Sequence, residues 1–261
     1  MHLDDRVAIV TGAGSGLGRA AALALAAAGA RVVAGDIDPA TAAHTADLIV
    51  AAGGQSCSIR ADVGVADDCA ALVRRAVDAY GALHILYNSA GIALGRQDGF
   101  VADIEPEVWD RVIRVNLSGT FYCCHYAIGP MQASGGGSII NTASSMAHLP
   151  NGLLDGYAAS KGGVATLTRS MAVGCGARNI RVNAISPGYV DTPINAPLLR
   201  NDKVRTAFAA GHATGLQTAE EIADLVVFLA GDASRSLTGA VLTCDRGWTA
   251  FKVPDLLRPA P

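Results

Sequence analysis

The sequence predicts one α/β domain built on a doubly wound, seven-stranded parallel sheet with helices on both faces. Short strand-like segments that are apolar throughout alternate with helix-like stretches, which is typical of a parallel sheet covered on both faces. A glycine-rich turn joins the first strand to the first helix. The 261 residues, 51% of them hydrophobic, suffice for one large domain or two small ones, and the lack of any linker pattern favours a single domain over residues 1–261.

Taken in order, we expect strands at residues 7–10, 31–35, 57–61, 84–87, 138–141, 181–185 and 240–244. Helices are expected at about 16–28, 39–52, 65–80, 107–131, 156–177 and 219–230. Pro39 suits a first helical turn, and Thr218 with Glu221 fits a capping box. Residues 193–215 lack a regular pattern and are predicted to form a variable substrate loop. We expect an irregular tail after Phe251.

Composition excludes several classes of function. The net charge is -3 and there is no basic run, so neither nucleic acid nor an acidic membrane surface is an expected partner. The N-terminal residues lack the pattern of a signal peptide, and the apolar stretch 20–30 is too short to span a bilayer. We therefore expect a cytoplasmic protein.

The six cysteines form no C-x-x-C pair and have no histidine-rich partner spacing. This predicts reduced thiols that pack as small apolar side chains, and no metal site. The adjacent Cys123 and Cys124 leave a redox-active pair open as an alternative.

The turn after the first strand has the spacing T-G-x-x-x-G-x-G and departs from the general G-x-G-x-x-G fingerprint. Glycines here allow positive φ and a close approach of the backbone to a pyrophosphate, while the amides at the start of the next helix attract an anion. The turn therefore predicts a dinucleotide site in a Rossmann fold, with contacts from Gly12, Ser15, Gly16, Leu17 and Gly18.

Asp36 ends the second strand, 18 residues after Gly18, and Ile37 follows it. A carboxylate at this place can accept hydrogen bonds from both hydroxyls of the adenosine ribose, and it would repel a 2′-phosphate. Asp36, with Ile37 beside it, therefore predicts NAD as the cofactor in preference to NADP. An acidic residue that merely caps the next helix is the alternative.

With these residues in place, the chain resembles the short-chain dehydrogenase/reductase family over residues 7–251. The family's cofactor motifs have counterparts here. The resemblance implies that Asp62 and Val63 contact the adenine of the cofactor, and that Thr192 contacts its nicotinamide amide. Further cofactor contacts are implied for the residues of the N-N-A-G turn and of the P-G-x-x-x-T segment: Asn88, Ala90, Gly91, Pro187, Gly188 and Val190. Ser89 replaces the second asparagine of N-N-A-G, which leaves the detailed role of that turn open.

The resemblance also implies a catalytic set of Asn116, Ser144, Tyr157 and Lys161. Tyr157 and Lys161 form the family's Y-x-x-x-K signature, and Ser144 lies at the family's spacing of 13 residues before Tyr157, with Ser145 as the adjacent contender. In the family the asparagine holds a water that links the lysine to solvent.

Lys161 follows Tyr157 by four positions, which places both side chains on one face of a helix. A free tyrosine has a pKa of about 10. A nearby ammonium favours the phenolate, so we expect Lys161, with the positive nicotinamide of NAD, to lower the pKa of Tyr157. Tyr157 would then act as general base in alcohol oxidation and general acid in carbonyl reduction.

The predicted function is NAD-dependent interconversion of a secondary alcohol and its ketone. The alternative is an NADPH-dependent ketoreductase of biosynthesis, acting on an acyl thioester or polyketide, against which Asp36 argues. Eight residues are candidates for the substrate pocket: Met146, His148, Leu149, Leu153, Tyr189, Leu198, Leu199 and Phe208. Their apolar character suits a cyclic or branched alcohol. His148 and His212 are interpreted as substrate contacts or surface histidines.

Two further expectations concern assembly and the C-terminal region. Residues 115–154 contain no Asp, Glu, Lys or Arg, which favours a large core, an interface between subunits, or both. We expect a homo-oligomer, with a tetramer favoured and a dimer as the alternative. Arg246 stands where many family members have a second glycine, so a positive φ at this position would strain it.

Overall fold

Strands and helices alternate along the chain, as the sequence predicts. The computed structural model describes residues 2–250. Its strands are β1 (Val7–Thr11), β2 (Arg31–Asp36), β3 (Ser56–Arg60), β4 (Ile85–Asn88), β5 (Gly137–Thr142), β6 (Ile180–Pro187) and β7 (Val241–Cys244). Its α-helices are α1 (Gly16–Ala27), α2 (Pro39–Ala51), α3 (Ala66–Tyr80), α4 (Pro106–Ile113), α5 (Gly119–Ala133), α6 (Asp155–Cys175), α7 (Ala196–Leu199), α8 (Asp202–Gly211) and α9 (Ala219–Ala230). The predicted tail after Phe251 lies outside the described residues.

The seven strands form one parallel sheet in the order β3-β2-β1-β4-β5-β6-β7. The chain winds outward in one direction from β1 to β3 and then in the other direction from β4 to β7. This reversal confirms the doubly wound fold, and it places a crevice between the carboxyl ends of β1 and β4, where open α/β sheets bind ligands.

Both faces of the sheet are covered, because alternate residues of each strand face opposite sides. In β1, Ala8 and Val10 join an apolar cluster with residues of α1 and α9. Val7 and Ile9 point the other way, into a cluster with residues of α3 and α5. The continuous apolar run of β1 is therefore explained by burial on both sides.

The cysteines are free thiols, and four of them are buried. Cys123 and Cys124 lie on the buried face of α5 and belong to its apolar cluster, which confirms the packing interpretation. Burial raises the pKa of the Cys124 thiol to about 12. Because the thiolate is the reactive form, the structure argues against the redox-active alternative.

The predicted long helix 107–131 is interrupted. Between α4 and α5 the backbone makes a π-helical turn over Arg114–Ser118. Such a turn inserts an extra residue into an otherwise continuous helix, and it often occurs at functional sites.

The prediction that residues 193–215 are irregular is wrong, since α7 and α8 lie within them. Asn201 caps α8 by accepting hydrogen bonds from the backbone N–H groups of Lys203 and Val204. The segment is short and its apolar residues are scattered, so the cap does more than the hydrophobic pattern to start this helix.

Arg246 has a φ of 46°, so the position does require the left-handed conformation. Its guanidinium donates hydrogen bonds to the carbonyl oxygens of Thr214 (2.7 Å) and Leu216 (2.9 Å) and forms an ion pair with Glu221. These bonds connect the turn after β7 to the start of α9, and they offset the backbone strain that the sequence predicts.

No helix within residues 2–250 is long and apolar enough to cross a membrane.

Candidate active site

A cleft of about 450 Å³ opens at the carboxyl ends of the central strands. Thr11 at the end of β1 is level with Asn88 of β4, and Asn88 is level with Asn141 of β5. The loops that leave these three strands therefore meet at one edge of the sheet, as the topology predicts.

The glycine loop fits a close approach of another backbone. Gly12 has a φ of 64°, and a Cβ there would lie 2.9 Å from Cα of Ala90. A Cβ at Gly18 would overlap the carbonyl oxygen of Gly12. At the start of α1, Ser15 makes no side-chain cap, so no capping side chain occupies the first amides of the helix, which are available to an anion.

Asp36 lines the cleft beside Ile37. Its Oδ2 accepts a hydrogen bond from the N–H of Gly14 (2.8 Å), and its Oδ1 accepts one from Asp38 (3.0 Å). The cap of α2 is Asp38, whose side chain accepts from the N–H groups of Ala40 and Thr41. The alternative that Asp36 merely caps a helix is therefore wrong.

Most of the residues predicted to bind the cofactor line this cleft: Gly12, Ser15, Gly16, Leu17, Gly18, Asp36, Ile37, Asp62, Val63, Ala90, Gly91, Tyr157, Lys161 and Thr192. Asn88 does not, because it is buried behind the loop and donates to Oδ1 of Asn141 (2.9 Å). Pro187, Gly188 and Val190 line a smaller adjoining cavity.

Sequence reasoning missed several residues of the cleft: Ala61, Ser89, Ile92, Arg111, Arg114, Val115, Thr142, Pro193 and Ile194. Most are direct neighbours of motif residues, and that adjacency was the available signal. Arg111 and Arg114 precede Asn116 on one helical stretch. From sequence alone, an arginine on a helix is most simply interpreted as a residue exposed to solvent.

Tyr157 and Lys161 lie one turn apart on α6, as predicted, with the Lys161 Nζ 5.7 Å from the centroid of the tyrosine ring. Lys161 is only 3% exposed, and its Nζ donates a hydrogen bond of 2.7 Å to the carbonyl oxygen of Thr142. This bond ties the lysine to the end of β5 and directs its ammonium into the cleft.

Burial dominates the electrostatics of the pair. It lowers the pKa of Lys161 to about 8 and raises the pKa of the Tyr157 phenol, while a hydrogen bond from Ser144 acts to lower the latter. In the chain without cofactor the pKa of Tyr157 is raised because burial disfavours the charged phenolate. The lowered pKa expected from Lys161 together with the nicotinamide of NAD stays a prediction.

Ser144 follows β5 and is nearly buried. Its Oγ accepts a hydrogen bond from the N–H of Met146 (3.2 Å), and its hydroxyl lies close enough to the phenol to lower the pKa of Tyr157. Ser145 also lines the small cavity, but the contact with Tyr157 distinguishes Ser144 from its neighbour.

Asn116 lies in the π-helical turn and is fully buried. Its Oδ1 accepts from the N–H of Ile92 (2.8 Å), and its Nδ2 donates to the carbonyl oxygen of Ile92 (2.9 Å) and to Oγ of Ser160 (3.1 Å). The amide thus holds the chain just after Gly91 against α6. The water relay implied by the resemblance stays a prediction.

The adjoining cavity has a volume of about 90 Å³. Its lining is Leu17, Ala93, Thr142, Ala143, Ser144, Ser145, Met146, Leu154, Tyr157, Pro187, Gly188, Tyr189, Val190, Thr192, Ile194 and Asn195. Of the eight candidate pocket residues, Met146 and Tyr189 belong to it. The six others, His148, Leu149, Leu153, Leu198, Leu199 and Phe208, do not, since the chain leaves the cavity wall after Met146 and folds into α7 and α8 beyond Asn195. Leu153 and Leu198 are exposed, whereas Phe208 packs behind Tyr189, with ring centroids 3.9 Å apart.

His212 is neither a substrate contact nor a surface residue. It is buried and stacks on Trp248, with ring centroids 4.8 Å apart. Its Nε2 accepts a hydrogen bond from the N–H of Tyr189 (3.2 Å), and its Nδ1 lies 2.6 Å from the carbonyl oxygen of Phe208. The histidine therefore holds the cavity wall at Tyr189 from behind.

The comparison with known proteins agrees with this geometry. A family model described as enoyl-(acyl carrier protein) reductase matches residues 12–249, the stretch that contains the glycine loop and the catalytic set. The chain belongs to the short-chain dehydrogenase/reductase family. It is thus an oxidoreductase of a family that uses nicotinamide cofactors.

Two relatives within this family align over almost the whole chain. A cis-4-hydroxycyclohexanecarboxylate dehydrogenase of Sinomonas cyclohexanicum is 41% identical, covering 94% of this chain and 97% of the relative. A cyclohexanol dehydrogenase of Acinetobacter sp. (strain SE19) is 38% identical, covering 95% and 96%.

A solved short-chain type dehydrogenase/reductase from Mycobacterium ulcerans superimposes with a TM-score of 0.92 at 29% identity, covering 98% of this chain and 94% of that one. The similarity extends over the whole sheet, which confirms the single-domain architecture of the family.

Proposed function

We propose that the protein is an NAD-dependent dehydrogenase that interconverts a cyclic secondary alcohol and its ketone, with Tyr157 as general acid and base. One observation carries the proposal: Tyr157 lines both the cofactor cleft and the small cavity beside it. A group held by Tyr157 and Ser144 in the cavity would therefore face the inner end of the cleft, where Lys161 and Thr192 also lie.

The cleft has the features that a dinucleotide needs. Gly12 packs too closely against Ala90, and Gly18 too closely against the carbonyl oxygen of Gly12, for either to carry a Cβ, and α1 begins beneath this loop. The loop around Gly16 would hold the diphosphate, Asp36 the adenosine ribose, Lys161 the nicotinamide ribose and Thr192 the nicotinamide amide. When bound, the cofactor accepts or supplies the hydride.

The chain's own residues handle the proton. In oxidation the Tyr157 phenolate accepts the proton of the alcohol hydroxyl, and in reduction the phenol returns it to the carbonyl oxygen. The Ser144 hydroxyl donates a hydrogen bond to the reacting oxygen. The charge of Lys161 stabilises the phenolate. Because burial keeps the pKa of Tyr157 high in the chain alone, we expect oxidation to accelerate as pH rises above neutral.

The substrate class follows from the cavity and the relatives together. The two relatives act, by their names, on a hydroxylated cyclohexane ring, one with a carboxylate and one without. Among the described residues, the cavity lining contains no Asp, Glu, Lys or Arg, so it offers no cation to a carboxylate. An uncharged ring such as cyclohexanol therefore fits better than its carboxylated analogue.

The preference for NAD rests on Asp36, whose carboxylate faces the cleft with no basic partner among the described residues. One observation favours the second candidate, an NADPH-dependent ketoreductase. Arg111 and Arg114 line the same cleft, and neither forms an ion pair within the part of the chain that the structure describes. A free guanidinium there is able to pair with a 2′-phosphate.

The decisive experiment measures oxidation of cyclohexanol and of cis-4-hydroxycyclohexanecarboxylate with NAD and with NADP. We expect kcat/KM for cyclohexanol to be at least about tenfold higher with NAD than with NADP, a difference of about 1.4 kcal/mol, and higher than for the carboxylate with either cofactor. Tyr157→Phe should lower kcat by about 10²- to 10⁴-fold, the usual contribution of a general acid–base group, with little change in NADH binding.

A preference for NADP would favour the ketoreductase, because it would mean that Arg111 or Arg114 outweighs Asp36. Turnover of acyl thioesters alone would exclude the cyclic alcohol. An active Tyr157→Phe variant would refute the assignment of the proton to the phenol.

We further propose that the chain forms a homo-oligomer, with a tetramer favoured over a dimer. The support is a set of large apolar side chains exposed on three helices, namely Trp109 on α4, Phe121 on α5 and Val173 on α6. Val173 is 85% exposed. Exposed apolar side chains that form one contiguous patch mark an interface. Light scattering of the purified protein gives the mass that distinguishes a tetramer from a dimer.

The cytoplasm remains the proposed compartment, which the free thiols support.

A further inference from the structure

Asp98 belongs to no motif, yet it makes direct contact with the helix that carries Tyr157. The residue is 0% exposed. Its Oδ1 accepts a hydrogen bond from the N–H of Gly156, and its Oδ2 accepts one from the N–H of Tyr157, each at 2.8 Å. These are the second and third residues of α6.

The helix has no cap of its own. Leu154 occupies the N-cap position and has no side-chain acceptor. The first N–H groups of a helix lack partners within the helix, and a carboxylate near them is favoured by the helix dipole. Asp98, 58 residues earlier in the chain, supplies both acceptors that a local Ser, Thr, Asp or Asn provides elsewhere.

Gly156 makes this approach possible. A Cβ at this position would lie 2.7 Å from Oδ1 of Asp98, so a larger residue would displace the carboxylate. Glycine is a poor helix former, which makes its presence in the first turn unfavourable unless the space is needed. The sequence thus keeps room for Asp98 at the expense of helix propensity.

Two further hydrogen bonds join the start of α6 to the residues that follow Asp98. The N–H of Asp155 donates to the carbonyl oxygen of Gly99 (3.1 Å), and Oδ2 of Asp155 accepts from the N–H of Val101 (2.9 Å). Together with the two bonds of Asp98, these bonds join residues 98–101 to the first three residues of α6. Lys161, one turn further on, is held separately by its bond to Thr142.

We propose that Asp98 is a positioning residue for Tyr157, and that it sets the distance of the phenol from Ser144 and from the reacting oxygen. The inference rests on the proposed function. Because Asp98 bonds the backbone of Tyr157 and lines neither the cofactor cleft nor the small cavity, its removal frees the phenol while leaving the lysine and the cofactor contacts in place.

The test compares Asp98→Ala, Asp98→Asn and a control, Thr218→Ala, which removes the side-chain cap of α9 at a residue that lines neither the cofactor cleft nor the small cavity. For each protein we would measure kcat for cyclohexanol with NAD, the dissociation constant of NADH by fluorescence, and the melting temperature. We expect Asp98→Ala to lower kcat by about 10- to 100-fold, since a displacement of about 1 Å has this effect. NADH affinity should change less than about twofold.

Asp98→Asn keeps one oxygen acceptor and should fall between Asp98→Ala and the wild type. Thr218→Ala should melt earlier but keep the kcat of the wild type. If Asp98→Ala does not fold, a lowered kcat of Asp98→Asn at unchanged NADH affinity supports the proposal by itself.

Wild-type kcat in both Asp98 variants, with only the melting temperature lowered, would overturn the inference and leave Asp98 a simple cap. A parallel loss of NADH affinity and kcat would also overturn it, because the whole site would then depend on Asp98. A wild-type enzyme that oxidises no secondary alcohol would refute the proposed function first, and the inference with it.

Discussion

Replacing Lys161 by methionine should stabilise the chain without added cofactor while it destroys the active site. Burial lowers the pKa of Lys161 from 10.5 to about 8. A fall of about 2.5 in pKa corresponds to about 3 kcal/mol by which the folded state disfavours the charged lysine. Methionine removes this cost, but it leaves the carbonyl oxygen of Thr142 without its donor, which costs about 1 kcal/mol. The net expected gain for Lys161→Met at pH 7 is about 2 kcal/mol.

The sign of the pH dependence follows from linkage. The folded pKa lies below the unfolded one, so the cost is fully present below pH 8 and is lost as pH rises from about 8 towards 10.5. The stability advantage of Lys161→Met should therefore be largest at neutral pH and should shrink by more than half by about pH 9.5.

The assay is denaturant unfolding of wild type and variant at pH 7 and pH 9.5, followed by tryptophan fluorescence. Lys203→Met is the matched control, because Lys203 is exposed and should change stability by less than about 0.5 kcal/mol at either pH. A Lys161→Met variant that is less stable than wild type at pH 7, or whose gain is the same at both pH values, would refute the reasoning.

Two more predictions concern backbone positions. Gly18→Ala should abolish NADH binding measured by fluorescence, because its Cβ would overlap the carbonyl oxygen of Gly12. Gly174→Ala is the control, since a Cβ at this position on α6 meets open space. This variant should bind NADH normally and gain up to about 1 kcal/mol of stability. Arg246→Ala should lose about 1–3 kcal/mol in denaturant unfolding, since it keeps the positive φ but loses the bonds to Thr214 and Leu216. Arg246→Gly should be about 1 kcal/mol more stable than Arg246→Ala, and equal stabilities would show that the backbone there is unstrained.

Much of this molecule could be predicted because its signals are local. Apolar runs bounded by turns gave each strand to within a few residues, and the spacing of Tyr157 and Lys161 placed both on one helix face. The glycine loop was recognisable because Gly12 and Gly16 take positive φ and a Cβ at Gly18 would overlap the loop's own backbone, which are demands that act within the loop. Asp36 was separable from a helix cap by its place at the end of a strand.

The remainder depends on contacts between distant segments. Asp98 caps α6 although it lies 58 residues before Gly156 in the chain, so the sequence near either residue does not predict this contact. His212 is buried in contacts with two distant segments: its Nε2 accepts a hydrogen bond from the N–H of Tyr189, and its ring stacks on Trp248. Burial, which the sequence does not show, raises the pKa of Tyr157 in the chain without cofactor.

The π-helical turn at Arg114–Ser118 also constrains how the chain tolerates changes in length. The turn absorbs one extra residue between α4 and α5, so the two helices stay in phase while the side chains inside the turn are displaced around the axis. Deleting one residue from the turn would therefore restore a regular helix and leave the buried face of α5, with Cys123 and Met131, directed at the core. It would move Asn116 away from Ile92. A single-residue deletion in this stretch should thus be accepted by the fold but not by the site.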